Sequence, residues 1–123
     1  MAKSYKELDV YQVSFDLFIR LHRFSFKMPK SETYELGSQI RRSADSVNSN
    51  IVEGYGRKNY KKDFIKFLVY SHSSNHETVN HLKKIEKLYP NLAIEANQLQ
   101  KEYDILGKKL YRFIEYVESN WRT

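Results

Sequence analysis

The stretch Gln39-Ile40-Arg41-Arg42-Ser43-Ala44-Asp45-Ser46-Val47-Asn48-Ser49-Asn50-Ile51-Val52-Glu53-Gly54-Tyr55-Gly56-Arg57 decides the fold. Apolar residues recur in it at Ile40, Ala44, Val47 and Ile51, and Leu36 extends the row upstream. That spacing puts them on one face of an α-helix, which needs an apolar partner. Gly54-Tyr55-Gly56 reads as the stop, because glycine accepts the left-handed conformation that closes many helices. The segment is also basic, with the pair Arg41 and Arg42 inside the helix and Arg57 just past its end.

Outward from this segment the same periodicity continues. The pattern predicts helices over about residues 5–27, 32–53, 60–89 and 92–119. Ser4 and Glu7 fit a capping box at the start of the first helix, and Met28-Pro29 ends it, since the residue before proline avoids the helical region. Asn59 reads as the N-cap of the third helix. In that helix Tyr60, Phe64, Phe67, Ser71, Thr78, Leu82, Ile85 and Tyr89 share a face, and Pro90 closes it. In the fourth helix Leu92, Ala96, Leu99, Tyr103, Leu106, Leu110, Phe113 and Val117 alternate four and three apart, the seam of a left-handed bundle. Short connections favour antiparallel neighbours, so the expected fold is all-α, an antiparallel up-down-up-down four-helix bundle. The last residues, including Trp121, read as a tail.

The first helix carries two apolar stripes. Leu8, Tyr11, Phe15, Phe18, Ile19 and His22 fall on one side, and Val10, Val13, Leu17, Leu21 and Phe24 on the other. A bundle buries one face of a helix, and a second stripe left in water marks a partner surface. The expectation is a homo-oligomer, with Val10, Val13, Leu17, Leu21 and Phe24 as its interface.

The bulk numbers narrow the function classes. A chain of 123 residues suits one domain, expected over residues 1–123. With Pro 2 and Gly 4, long helices are favoured over many short strands. Cys 0 removes disulfides, thiol catalysis and cysteine-ligated zinc, and fits a reducing cytoplasm. No secretory signal or membrane span is expected, so the expected location is cytoplasmic, with no membrane partner. The net charge of +6 favours polyanionic partners. It is uneven: residues 1–62 carry 12 Lys and Arg against 7 Asp and Glu, and residues 63–123 carry 9 against 8.

The Gln39–Arg57 stretch resembles the signature Q-I-R-R-A-x-x-S-I-x-x-N-I-A-E-G-x-G-R of the small four-helix-bundle proteins encoded by intervening sequences in bacterial 23S rRNA genes. Ser43 replaces the alanine, Val47 the isoleucine, and Asn48 stands where many members have proline. Leu8-Asp9-Val10, Met28-Pro29-Lys30 and the Phe64, Phe67, Leu68 set extend the resemblance over nearly the whole chain. It implies a four-helix bundle that assembles as a ring-like homopentamer, like the related accessory protein of diversity-generating retroelements, a basic pentamer that works with a reverse transcriptase. It implies an association with rRNA genes but brings no established site role for the arginine pair.

Candidate chemistry centres on Arg57-Lys58-Asn59-Tyr60-Lys61-Lys62. Arg57, Lys58, Lys61 and Lys62 would neutralise phosphates at a helix N-terminus, and Tyr55 or Tyr60 would stack on an unpaired base. The competing reading is a solvated turn with Arg57 paired to Glu53. Arg41 and Arg42 are further phosphate candidates, against an ion pair of Arg42 with Asp45 or a subunit contact. Arg20 and Arg23 read as a solvated edge. His72 and His76 are four apart, as two metal ligands on one helix would be, but His76-Glu77 and His81 miss the H-E-x-x-H spacing by one residue. A polar interface row accounts for them better, and neither a metal nor another cofactor is expected. No serine sits in a strand–turn–helix elbow, and Gly54-x-Gly56 has no strand before it, so no catalytic residue is assigned and no enzyme is expected. The sequence therefore points to a non-catalytic, oligomeric nucleic-acid-binding protein with RNA or DNA as partner. The alternative is an oligomeric scaffold for a protein partner such as a polymerase or reverse transcriptase.

Overall fold

The computed structural model describes residues 4–122. Met1, Ala2, Lys3 and Thr123, the ends of the expected domain, lie outside the described residues. The described residues are all-α, with helices α1 (Asp9–Ser25), α2 (Leu36–Gly56), α3 (Lys61–Leu88) and α4 (Ala93–Asn120). Single 3-10 turns at Tyr5–Glu7, Lys30–Glu32 and Pro90–Leu92 precede α1, α2 and α4.

These turns explain where the helices start later than periodicity suggests. Ser4 caps the first 3-10 turn, its hydroxyl accepting the Lys6 amide at 3.2 Å, so it does not form the expected capping box at the start of α1. Pro90 opens the turn before α4 and supplies a fixed φ where no amide donor is needed. Tyr60, not Asn59, holds the N-cap position of α3.

Helix α2 ends within the expected stop Gly54-Tyr55-Gly56, but not through a left-handed glycine. Helix α2 runs through Gly54 and Tyr55 to Gly56, and no described glycine has positive φ. Gly54 instead lets two backbones approach. A Cβ there would stand 3.2 Å from Phe67 Cβ and 3.3 Å from the Phe64 carbonyl oxygen, so the missing side chain lets the end of α2 press onto the start of α3.

Helix α1 packs on α2 and α4, and α3 packs on α2 and α4, while α1 and α3, like α2 and α4, lie diagonally apart. The expected stripes of α2 and α4 face one core, where Ile40, Val47, Ile51, Phe64, Leu68, Leu82, Ile85, Leu106 and Leu110 are fully buried. Along the α2–α3 contact the buried side chains are small and polar. The Ser71 hydroxyl donates to the Val47 carbonyl at 2.6 Å. Thr78 Oγ1 lies 2.9 Å from Ser43 Oγ, and the Ser46 and Ser74 hydroxyls meet at 2.8 Å. Each links a specific residue of α2 to one of α3, so sliding either helix by a turn would leave buried polar groups unpaired.

The expected interface stripe of α1 is also corrected. Val10, Leu17, Leu21 and Phe24 are buried in the subunit's own core, and Val13 packs against it half-buried. The outward stripe is the ring-rich one. Phe15 and Phe26 are 45% and 52% exposed, and rings meet at 5.0 Å in Tyr5–Tyr11, 5.8 Å in Tyr11–Phe15 and 5.3 Å in His22–Phe26. Both stripes are apolar enough to be buried, so hydrophobicity alone does not choose between them. Val10, Leu17, Leu21 and Phe24 fill the gap left by α2 and α4, while Tyr11 and Phe18 pack at its edge and Phe15 and Phe26 stay largely in water.

This assignment has a direct consequence. Leu21→Ala should lower unfolding stability by about 2–5 kcal/mol, as a large-to-small change in a filled core does. Phe15→Ala should change the stability of the separated subunit by roughly 1 kcal/mol or less. Urea unfolding followed by circular dichroism checks both, and equal losses would mean that α1 is rotated from its position here.

Candidate nucleic-acid interface

Helix α2 ends in a turn held by its own backbone: the amides of Arg57, Lys58 and Tyr60 donate to the carbonyls of Gly54, Tyr55 and Arg57. Trp121, expected in a tail, closes this turn from below. Its indole N–H donates to the Lys58 carbonyl at 2.8 Å, and its ring packs edge-on against Phe64 at 5.1 Å and Tyr55 at 6.4 Å. The turn is thus a fixed platform between the ends of α2 and α4.

The basic residues on it divide into two sets. Arg57 is held within the fold: its Nε meets Glu53 at 3.2 Å, a terminal nitrogen reaches Asp63 at 3.6 Å, and the guanidinium lies 4.8 Å from the Phe67 ring centre. Lys58 is held too, its ammonium 4.4 Å from the Tyr55 ring centre and donating to the Tyr55 hydroxyl at 3.4 Å. Tyr60, 71% exposed, and Lys62 face solvent beside half-buried Lys61. Lys61 and Lys62 make no ion pair among the described residues, and no side chain caps the N-terminus of α3.

The arginine pair separates in the same way. Arg41 donates to Ser25 Oγ at 2.8 Å and to the Thr33 carbonyl at 2.6 Å, and its guanidinium stacks 4.4 Å from the Phe26 ring centre. It therefore ties the end of α1 to the approach to α2 and is withdrawn from any phosphate contact. Arg42 is exposed and does not pair with Asp45, whose carboxylate accepts the Ser49 hydroxyl at 3.3 Å. Arg42 lines a cleft of about 270 Å³ between α2 and α3 with Glu77 and His81.

The edge shared by α1 and α4 is neutralised. Arg20 forks onto both Glu102 oxygens at 2.7 and 2.6 Å, Lys27 meets Glu95 at 2.8 Å, and Lys109 meets Asp9 at 2.8 Å. The Arg20 hydrogen bond holds the Glu102 carboxyl below the usual range. Arg20, read from the sequence as a solvated edge, is a clamp between helices.

A site not found from the sequence lies between α3 and α4, where a groove of about 680 Å³ opens over Asn75 and Gly107. A Cβ on Gly107 would stand 2.9 Å from Asn75 Nδ2, so glycine leaves room for the Asn75 amide to donate to the Tyr103 carbonyl at 2.8 Å. The walls carry Lys83, Lys108 and Arg112 against one carboxylate, Asp104. His72 and His76 also line it, their rings 4.6 Å apart, with Tyr111 at 6.3 Å from His72. No cluster of three or more potential metal-ligating residues occurs among the described residues. A signal existed in the sequence: Asn75 and Gly107, small or polar residues within the apolar patterns of the two helices that form the groove. Only the pairing of α3 with α4 shows which cations converge there.

A model of the family described as 23S rRNA-intervening sequence protein matches residues 6–112. The chain belongs to this family. The match spans the Gln39–Arg57 signature, the whole basic turn and the groove through Arg112. No curated protein matches the chain.

Two histidines make stability depend on pH. His81 is buried and its Nδ1 has no hydrogen-bond partner among the described residues; burial, then nearby Lys84, lowers its pKa, with Glu77 opposing. Burial, then His76, lowers that of His72, with a hydrogen bond to the Gly107 backbone opposing. Between the lowered folded values and the ordinary 6.5, the unfolded chain binds more protons than the folded one. Stability is thus complete above about 6.5 and declines as pH falls through it. The urea midpoint should drop between about pH 7.5 and 5.5, and should drop less in a His72→Gln, His81→Gln double variant. A midpoint that rises on acidification in this window would contradict the assignment.

Proposed function

We propose that the protein is a non-catalytic, oligomeric, cytoplasmic nucleic-acid-binding protein, with RNA as the favoured ligand. Its helices run up-down-up-down, a reading supported by the reversed order of partners in Arg20–Glu102, Lys27–Glu95 and Lys109–Asp9. The observation that carries the functional reading is the outward set Tyr60, Lys61 and Lys62 at the open N-terminus of a 28-residue helix. Packing and ion pairs occupy Arg57, Lys58 and Arg41, while this set keeps cations and a ring available for phosphates and an unpaired base. Phosphate contacts carry little sequence information, so the binding is electrostatic and weakly selective. Membership in the 23S rRNA-intervening sequence protein family favours RNA over DNA.

The oligomer is proposed to form through the ring-rich face of α1, and the family resemblance supplies the count of five. Exposed Phe15 and Phe26 lie on one side of α1, where a second subunit would remove them from water. A ring would repeat the Tyr60–Lys62 patch, so weak contacts would add through multivalency. This face also supports the second reading, a scaffold for a protein partner such as a polymerase or reverse transcriptase.

Charge reversal at Lys61→Glu and Lys62→Glu should weaken RNA binding at least tenfold and flatten the dependence of log K on log salt, while the oligomer mass stays constant. Fluorescence anisotropy of a labelled RNA across a salt series, with light scattering for mass, checks this. Unchanged binding would remove the patch from the interface. Phe15→Glu with Phe26→Glu should reduce the mass toward the 14.8 kDa subunit while leaving helicity intact. An unchanged mass would exclude the aromatic face as the contact.

A further inference from the structure

We propose that the α3–α4 groove is a second binding site, one that takes an unpaired segment of single-stranded nucleic acid. Three observations carry it. The groove is large enough to hold a ligand, at about 680 Å³, within the size range of small-molecule sites. Lys83, Lys108 and Arg112 line it and form no ion pair among the described residues, although Asp104 lies one helical turn before Lys108. Tyr111, 57% exposed, and the His72–His76 ring pair line the same groove.

The arrangement distinguishes ligand classes. At about 1.5 Å per residue, His72 and Lys83 stand roughly 16 Å apart along α3, so the groove is elongated and charged along its length. An elongated cationic groove with rings gathered toward its His72 end suits a strand that offers phosphates to the lysines and arginine and base faces to the rings. Bases paired in a duplex cannot present their faces, so a double strand gains only the phosphate contacts. An acidic peptide would use the cations, but its carboxylate side chains offer no ring to stack on Tyr111 and the imidazoles. The Asp104 carboxylate can in addition accept a hydrogen bond from a base amino group or a ribose hydroxyl.

This inference rests on the nucleic-acid reading above, but the surface differs from the Tyr60–Lys62 turn, so the two can fail separately. The test measures anisotropy of a labelled oligouridine ten-mer and of a duplex of equal length against the oligomer as purified. The proteins are the wild type, the Lys61→Glu, Lys62→Glu variant, the Lys83→Glu, Lys108→Glu, Arg112→Glu variant, and Tyr111→Ala. Circular dichroism and light scattering accompany each. The groove triple variant is expected to weaken oligouridine binding at least tenfold with unchanged helicity and mass. Tyr111→Ala is expected to weaken it roughly fivefold or more with the salt slope preserved, since stacking involves no counterion release. The duplex should be insensitive to Tyr111→Ala. Wild-type binding of oligouridine by both groove variants, with loss only in the turn variant, would overturn the groove while leaving the nucleic-acid reading standing. No binding by the wild type at low salt would overturn both. A changed oligomer mass in the groove triple variant would overturn the groove as a ligand site and make it a subunit contact.

Discussion

The contact between α2 and α3 is the constraint on which the rest depends. Ser43, Ala44, Val47 and Gly54 keep α2 narrow on the side that meets α3, and Ser71 and Thr78 answer them with hydroxyls. Small side chains bring two backbones together, and buried hydroxyls then hold one register, because any shift leaves polar groups in an apolar interior without partners. With that register fixed, Gly54 sits against Phe64 and Phe67, the turn after Gly56 is held, and Trp121 has a pocket to fill. The position of every charge on the turn follows from this packing.

Charge in this protein is largely a matter of which cations packing consumes. Arg41, Arg57 and Lys58 are spent on the fold through hydrogen bonds and aromatic faces. Arg20, Lys27 and Lys109 bind α1 to α4 through carboxylates. The exposed pairs among these contribute modestly, about 0–1 kcal/mol each, but they cancel the field along that edge. Among the cations outside these two sets, Lys61 and Lys62 gather at the start of α3, and Lys83, Lys108 and Arg112 gather along the α3–α4 groove.

Much of the architecture was legible in the sequence. Four helices follow from apolar periodicity, and Pro29 and Pro90 mark two of the breaks. The failures have physical causes. Gly54-Tyr55-Gly56 has the composition of a stop, but glycine serves close approach as well as left-handed backbone, and only a neighbouring helix reveals which. The two stripes of α1 have similar apolarity, so the choice between Leu17 and Leu21 on one side and Phe15 on the other depends on the shape of the gap between α2 and α4. Of the candidate site, Tyr60, Lys61, Lys62 and Arg42 remain exposed or partly so, as the polar pattern suggests. Arg41, also half-buried, is engaged within the fold, because its partners Ser25 and Thr33 are brought to it by a chain reversal that spacing cannot show. The α3–α4 groove draws residues from two segments far apart in sequence and had no local motif.

The central claim is that packing divides the cations into a structural set and a set free to meet phosphate. Lysine acetylation followed by mass spectrometry, with and without bound single-stranded RNA, reads that division at each ammonium. The expected result is that RNA protects Lys62, Lys83 and Lys108 while Lys27 and Lys109, already paired with carboxylates, keep their reactivity. Protection centred on Lys27 and Lys109, with Lys62, Lys83 and Lys108 unchanged, would contradict the account.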